Sequence, residues 1–251
     1  MIEFRKVCAG YGGRPVLHRL NLQVHPGEVL ALIGPNGCGK STLLRAAARQ
    51  LPLEGGEILL NGRDIRQFER TEFARTAAFL PQQAQSPPAI TVSSLVCYGR
   101  FPYLGLSRRL HKADREAVQR AMERTGTADW AQRELRALSG GERQRVYIAM
   151  ALAQGTETIF LDEPTTYLDM RYQFELLELI RELKKEGKTI VMVLHDLSLA
   201  LRYSDRAALM ENGQIAACDI PQALAEGGQL DRVFRIVTHR QGDCYFFTAR
   251  P

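Results

Sequence analysis

The stretch GPNGCGKST, residues 34–42, constrains this chain more than any other. It has the spacing G-x-x-x-x-G-K-[S/T] and lies between an apolar segment, Val29 to Ile33, and a run of helix formers from Ser41 to Gln50. A buried strand that turns over glycines into a helix exposes successive backbone N–H groups beside the positive end of that helix. The ligand suited to such a loop is a polyphosphate. Lys40 is expected to reach the β- and γ-phosphates of such a ligand, and the Ser41 hydroxyl is a hard oxygen ligand for Mg²⁺. Gly34, Asn36, Gly37, Cys38, Gly39, Lys40, Ser41 and Thr42 are accordingly the candidate nucleotide-binding residues of the loop.

The periodicity around the loop predicts an α/β fold. Residues 2–8, 16–24 and 57–60 read as strands of a β-rich first part, with turns at Pro26-Gly27 and Asn61-Gly62. A buried strand is expected at 76–80, closed by Pro81 and followed by the loop-forming Pro87-Pro88. Between about 91 and 155 helical patterns dominate, at 91–98, 112–125 and 140–154, which marks an inserted helical lobe. Strands at 157–161, 189–194 and 206–211 then alternate with helices near 171–186 and 196–203, the rhythm of a parallel sheet covered on both faces. A short helix and a hairpin are expected in 229–251.

With 251 residues, 45% hydrophobic and 24% charged, the chain is long enough for one globular domain, 1–251, with that lobe inserted. No apolar run approaches the ~18 residues of a membrane span, and the start, MIEFRKV, carries no secretion signal, so a cytosolic location is expected. The five cysteines are odd in number and lack metal-ligand or CxxC spacing, which suits reduced thiols. The net charge of +5 permits an anionic partner without demanding one. Arg100, Arg108, Arg109 and Lys112 form one dense cluster, of which Arg108, Arg109 and Lys112 either face anionic lipid headgroups or lie in a solvated loop.

TIFLDEP, residues 158–164, is an apolar strand that delivers Asp162 and Glu163 at its C-terminal end, the edge where open α/β sheets bind ligands. Asp162 is the expected Mg²⁺ ligand, and Glu163 the expected catalytic group that polarises the attacking water. Gln82, after AAFLP, is placed to touch the metal or the water. His195, after TIVMVL, is placed to hydrogen-bond a γ-phosphate oxygen and Glu163. Tyr11, in the turn AGYGG, either stacks on adenine or is an ordinary surface tyrosine, with Gly12 and Gly13 leaving room for a flat ligand.

A second glycine element, LSGGERQRV at 138–146, has no lysine of its own. Ser139 reads as a helix cap, and Gly140 and Gly141 leave bare the amides at the positive end of the helix, so the element can bind an anion. Val146, Met150 and Ala153 anchor one face of that helix.

Together these motifs resemble the ATP-binding subunits of ABC transporters over essentially the whole chain. Walker A (Gly34 to Thr42), the Q-loop at Gln82, the LSGGE signature (Leu138 to Glu142), Walker B (Ile159 to Glu163), the Leu168-Asp169 D-loop and the His195 switch occur in the family's order. The resemblance implies a P-loop NTPase (RecA-like) core with an N-terminal antiparallel β-subdomain and an inserted α-helical lobe. It also implies a homodimer in which Ser139, Gly140 and Gly141 of one copy, with Asp169, complete the ATP site of the other. PTTYLD and YGRFPY resemble the branch importing ferric siderophores, haem or cobalamin. What that branch implies is a membrane permease, a substrate-binding receptor acting through it, no nucleic acid, and a peripheral position on the cytoplasmic face of the inner membrane. Phe101, Pro102, Tyr103 and Leu104 are expected to be exposed in a groove that receives a permease helix; the competing reading makes them lobe core. A soluble ABC ATPase acting on DNA or ribosomes fits less well, because such proteins usually carry tandem cassettes or a long coiled-coil insertion. A small-molecule kinase leaves LSGGE and His195 unexplained.

Overall fold

The computed structural model describes residues 1–82, 89–105, 109–242 and 244–250. In chain order the elements are β1 (Ile2–Tyr11), β2 (Arg14–Val24), β3 (Val29–Ile33), α1 (Lys40–Ala47), β4 (Gly55–Leu60), β5 (Arg63–Asp64), α2 (Arg70–Thr76) and β6 (Ala77–Leu80). There follow α3 (Val92–Cys97), a 3₁₀ segment (Tyr98–Tyr103), α4 (Lys112–Arg124), α5 (Gly140–Ala153), β7 (Thr158–Asp162) and α6 (Met170–Lys185). The chain closes with β8 (Thr189–Val193), α7 (Leu197–Tyr203), β9 (Arg206–Glu211), β10 (Gln214–Asp219), α8 (Pro221–Glu226), α9 (Gln229–Phe234) and the hairpin β11 (Ile236–Gln241) and β12 (Cys244–Ala249). No helix among the described residues is long and apolar enough to cross a membrane.

Contacts divide the chain into two compact units, residues 1–68 with 184–251, and residues 69–183. In the first unit, β1 lies antiparallel between β2 and β4, and β5 extends that sheet as β2-β1-β4-β5. This is the antiparallel β-subdomain. The same unit holds β3 between β8 and β9, parallel to both, with β10 added antiparallel on β9. All five residues of β3 and all five of β8 are buried, as expected for parallel strands, whose apolar runs do not alternate because both faces are covered.

The second unit contains the helical lobe and the parallel pair β6 and β7, with Ala77 opposite Thr158 and Leu80 opposite Leu161. α3, α4 and α5 pack on one another, and α5 also packs on β6. The α5 anchors divide: Val146 and Ala153 are buried and Met150 is half-buried. Gln144, a polar residue by sequence, is also buried and donates to the Pro164 carbonyl at 3.3 Å. The helical lobe, the parallel strands and the terminal helix-plus-hairpin follow the sequence expectations. Pro87-Pro88 and Arg108 lie outside the described residues.

Candidate functional site

In the first unit the phosphate loop leaves β3 and re-enters structure at α1, with Gly39 as the residue preceding the helix, in a left-handed conformation (φ 106°). Gly34 has φ 149°, and a Cβ there would lie 2.3 Å from the Met210 carbonyl oxygen and 2.8 Å from Cys38 Sγ. Only glycine fits, so the backbone can pass between those groups. Gly37, at φ 78°, has open space around it. Lys40 is buried and folds back over the loop, its Nζ donating to the Gly34 carbonyl at 2.6 Å and to the Pro35 carbonyl at 3.0 Å. Those are the bonds a phosphate oxygen would replace. Burial pushes the Cys38 thiol up, against the opposing pull of Lys40, so it stays protonated and unreactive at neutral pH.

The register Leu32 to Val193 between β3 and β8 means that Gly34 and His195 leave the same end of neighbouring parallel strands. His195 is exposed there, and the next residue, Asp196, caps α7 by accepting from the Leu199 amide at 3.0 Å. Tyr11 ends β1, is 45% exposed and faces Arg14 across the two-residue Gly12-Gly13 turn. Both glycines have positive φ, 56° and 76°, as a tight hairpin of this kind requires.

In the second unit, β6 and β7 end level, and the residues just beyond them meet: Gln82 donates its side-chain amide to Oε2 of Glu163. Glu163 is buried and has φ 53°, a left-handed conformation rare for a non-glycine residue. The Thr166 hydroxyl reaches the same Oε2 at 3.4 Å, and the Thr166 amide donates to the Glu163 carbonyl at 3.2 Å. Asp162 is fully buried at the end of β7. The buried Asp162 carboxylate and the Gln82 amide carbonyl of this unit are hard oxygen donors, a kind that suits Mg²⁺ and not a soft metal; the Ser41 hydroxyl of the first unit, taken by itself, is a donor of the same kind.

The signature element lies in the same unit as Walker B. Ser139 caps α5: its hydroxyl accepts from the Glu142 amide at 3.3 Å, while Glu142 Oε2 accepts from the Ser139 amide at 2.7 Å. The S-x-x-E spacing of residues 139–142 is the sequence signature of this reciprocal capping box. The hydrogen bond from the Ser139 amide holds the Glu142 carboxyl below its ordinary range. A Cβ on Gly141 would lie 3.0 Å from the Tyr167 carbonyl oxygen, and one on Gly140 3.6 Å from Tyr167 Cβ. The signature glycines therefore let the D-loop pack directly against the start of α5. Asp169, exposed, caps α6 by accepting from the Tyr172 amide at 3.0 Å.

The predicted exposure of residues 101–104 is corrected in part. Phe101 is 54% exposed and Tyr98 39%, their rings 4.5 Å apart, but Tyr103 is half-buried. Its hydroxyl donates to the Gln154 carbonyl at 2.9 Å, and the Arg100 guanidinium lies 3.8 Å from its ring centroid. Arg100 likewise leaves the expected basic cluster, because it pairs with Asp114 at 3.0 Å in the lobe interior. Lys112 is exposed beside Glu116 and Arg109 is exposed.

A phosphate loop between a parallel strand and a helix, a paired glutamine and glutamate after neighbouring strands, and a serine-capped amide cluster define a cassette ATPase. The family described as ABC transporter matches residues 17–166. The petrobactin import ATP-binding protein FpuD of Bacillus anthracis is 44% identical over 248 residues, covering 98% of this chain and 91% of that protein. The iron(3+)-hydroxamate import ATP-binding protein FhuC of Bacillus subtilis (strain 168) is 47% identical over 207 residues, 82% of this chain and 77% of that protein. Among solved structures, the dimeric structure of MJ0796, a bacterial ABC transporter cassette, matches with a TM-score of 0.79 at 28% identity, covering 88% of this chain and 99% of that one. The chain belongs to the ABC transporter family and is one of its ATP-hydrolysing, ATP-binding subunits.

Proposed function

We propose that this chain powers import of a ferric siderophore or related iron chelate through a membrane permease, as a single cassette, 1–251, that pairs with a second copy around two ATP molecules. The observation that carries the reading is the 44% identity over 98% of the chain to a petrobactin import ATP-binding protein and the 47% identity over 82% of it to an iron(3+)-hydroxamate one, joined to a complete set of cassette motifs.

In this reading Lys40 and the amides of residues 34–42 grip the β- and γ-phosphates, and Tyr11 stacks on adenine. Glu163 takes the proton of the attacking water, and Gln82 and Thr166 hold the Oε2 side of that carboxylate so that it does not turn away. Lys40 and the His195 ring steady the charge that develops on the γ-phosphate oxygens. Ser41, Gln82 and Asp162 would hold Mg²⁺, which would offset phosphate charge. The Ser139 hydroxyl and the Gly140 and Gly141 amides bind the γ-phosphate of the nucleotide gripped by the second copy, with Asp169 beside them, which accounts for an anion site that has no lysine.

Phe101 and Tyr98, an exposed aromatic pair following α3, are the docking point for a permease helix. The receptor acts through the permease, and the cassette sits peripherally on the cytoplasmic face of the inner membrane. Deleting the gene should abolish uptake of radiolabelled ferric siderophore, restored by the wild-type gene and not by Lys40→Ala. Undiminished uptake of ferric siderophores in the deletion strain would overturn the cargo.

A further inference from the structure

The antiparallel subdomain carries a feature that ATP hydrolysis does not use. The pairing of β1 with β2 breaks register between Phe4 and Val7 and again between Val7 and Ala9, and β1 slips against β4 between Arg5 and Cys8. At these irregularities Lys6 has φ 49° and, on β2, Arg19 has φ 50°. Both are left-handed, where glycine or asparagine is the undemanding choice and a long side chain is not. Both kinks are pinned from the sides. Asn21 accepts from the Lys6 amide at 2.9 Å and donates to the Arg19 carbonyl at 3.2 Å, and Cys8 Sγ accepts from the Arg19 amide at 3.3 Å. Gly56 closes in so tightly that a Cβ there would lie 2.3 Å from the Lys6 carbonyl oxygen.

A cavity of about 730 Å³ opens at this point, and four cations line it, Arg5, Lys6, Arg19 and Arg66, against one lining carboxylate, Glu57. Arg5 is engaged with Glu3 at 2.7 Å and Glu57 at 3.3 Å, and Arg66 with Asp64 at 2.6 Å. Among the described residues no ion pair engages Lys6 or Arg19. The two residues bent into a rare backbone conformation are thus the two cations whose charge is not already met. Bulges re-aim side chains, and strained backbone accumulates where a side chain is needed in one place.

We propose that this cavity binds a small, multiply charged phosphate-bearing anion, at a site that shares no residue with the phosphate loop. Lys6 and Arg19 supply the charge, and Arg5 and Arg66, each held by its own carboxylate partner, frame the opening.

The test is calorimetric titration of inorganic pyrophosphate, without Mg²⁺ and at low salt, into Lys40→Ala protein, in which the phosphate loop is disabled. One binding event is expected, and it should weaken at least tenfold in the added double variant Lys6→Asn with Arg19→Asn. Asparagine accepts the left-handed backbone, so the melting temperature should hold or rise. As a second measurement, wild-type protein should show two pyrophosphate sites and the double variant in the wild-type background one. Equal affinity with and without the asparagines, or no second site in wild type, would overturn the proposal. So would sedimentation with phosphatidylglycerol vesicles that depends on Lys6 and Arg19 in the absence of pyrophosphate binding.

Discussion

Gln82 and Glu163 meet side chain to side chain, the glutamine amide donating to Oε2 of the glutamate, because β6 and β7 end level with Leu80 opposite Leu161. One hydrogen bond thus joins the Q-loop to Walker B. Glu163→Gln should cut kcat by about 10²–10⁴ with ATP binding retained, as expected for loss of a general base. Gln82→Ala should lower kcat by about tenfold through loss of positioning, with a smaller change in KM. Steady-state phosphate release, paired with equilibrium binding of a fluorescent ATP analogue, separates the two effects.

The Ser139–Glu142 capping box gives a stability effect with a defined pH dependence. The Ser139 amide lowers the Glu142 carboxyl below its ordinary value of 4.5 in the folded state. A depressed folded value means the contribution is complete above the unfolded value and fades as pH falls through the folded one. Glu142→Ala should therefore destabilise by about 0.3–1.5 kcal/mol at pH 7. The gap to wild type should close progressively below about pH 4.5, followed by urea unfolding across pH.

Arg100 and Asp114 form an ion pair with side-chain exposures of 12% and 7%. Burial alone would raise the Asp114 carboxyl, but the hydrogen bond from the His111 amide and the Arg100 guanidinium outweigh it and hold the group low. Removing the cation leaves that buried charge unmet. Arg100→Ala should cost about 3–5 kcal/mol, seen as a lower urea midpoint at unchanged slope.

Phe101 projects into solvent, whereas Tyr103 is fixed by Arg100 and Gln154. Phe101→Ala should leave the melting temperature and basal ATP hydrolysis of the isolated cassette unchanged and abolish most transport in cells. Tyr103→Ala should instead lower the melting temperature, as loss of a half-buried aromatic with a bonded hydroxyl does. Differential scanning fluorimetry and radiolabelled chelate uptake distinguish them.

The parallel strands were legible because Val29 to Ile33 and Thr189 to Val193 are short apolar runs, and the loops after them carry the polar chemistry. α2 was not, since RTEFART buries only Phe73 and has no apolar stripe to detect. β10 was missed for a similar reason: QIAACD is a half-exposed edge strand with weak alternation. Composition placed Arg100 with the surface cations near it. Its partner, Asp114, stands 14 residues away on α4, and no local pattern announces that pairing. For Tyr103 the sequence leaves exposed and lobe-core readings open, because exposure depends on what packs against a ring, here Arg100 and the carbonyl of Gln154. The order of the phosphate loop, Gln82, LSGGE, Asp162-Glu163 and His195 was plain, because each is a local motif tied to a strand or helix end.

Under the proposed function, Ser139, Gly140 and Gly141 of one copy complete the nucleotide site of another. Sedimentation velocity of Glu163→Gln protein with and without saturating Mg²⁺–ATP tests it most directly. Glu163→Gln protein should shift to twice the monomer mass with ATP, and adding Ser139→Phe should abolish the shift while each monomer still binds one nucleotide. A Glu163→Gln protein that stays monomeric at saturating ATP, alongside a wild type whose turnover per chain does not fall on dilution, would contradict it.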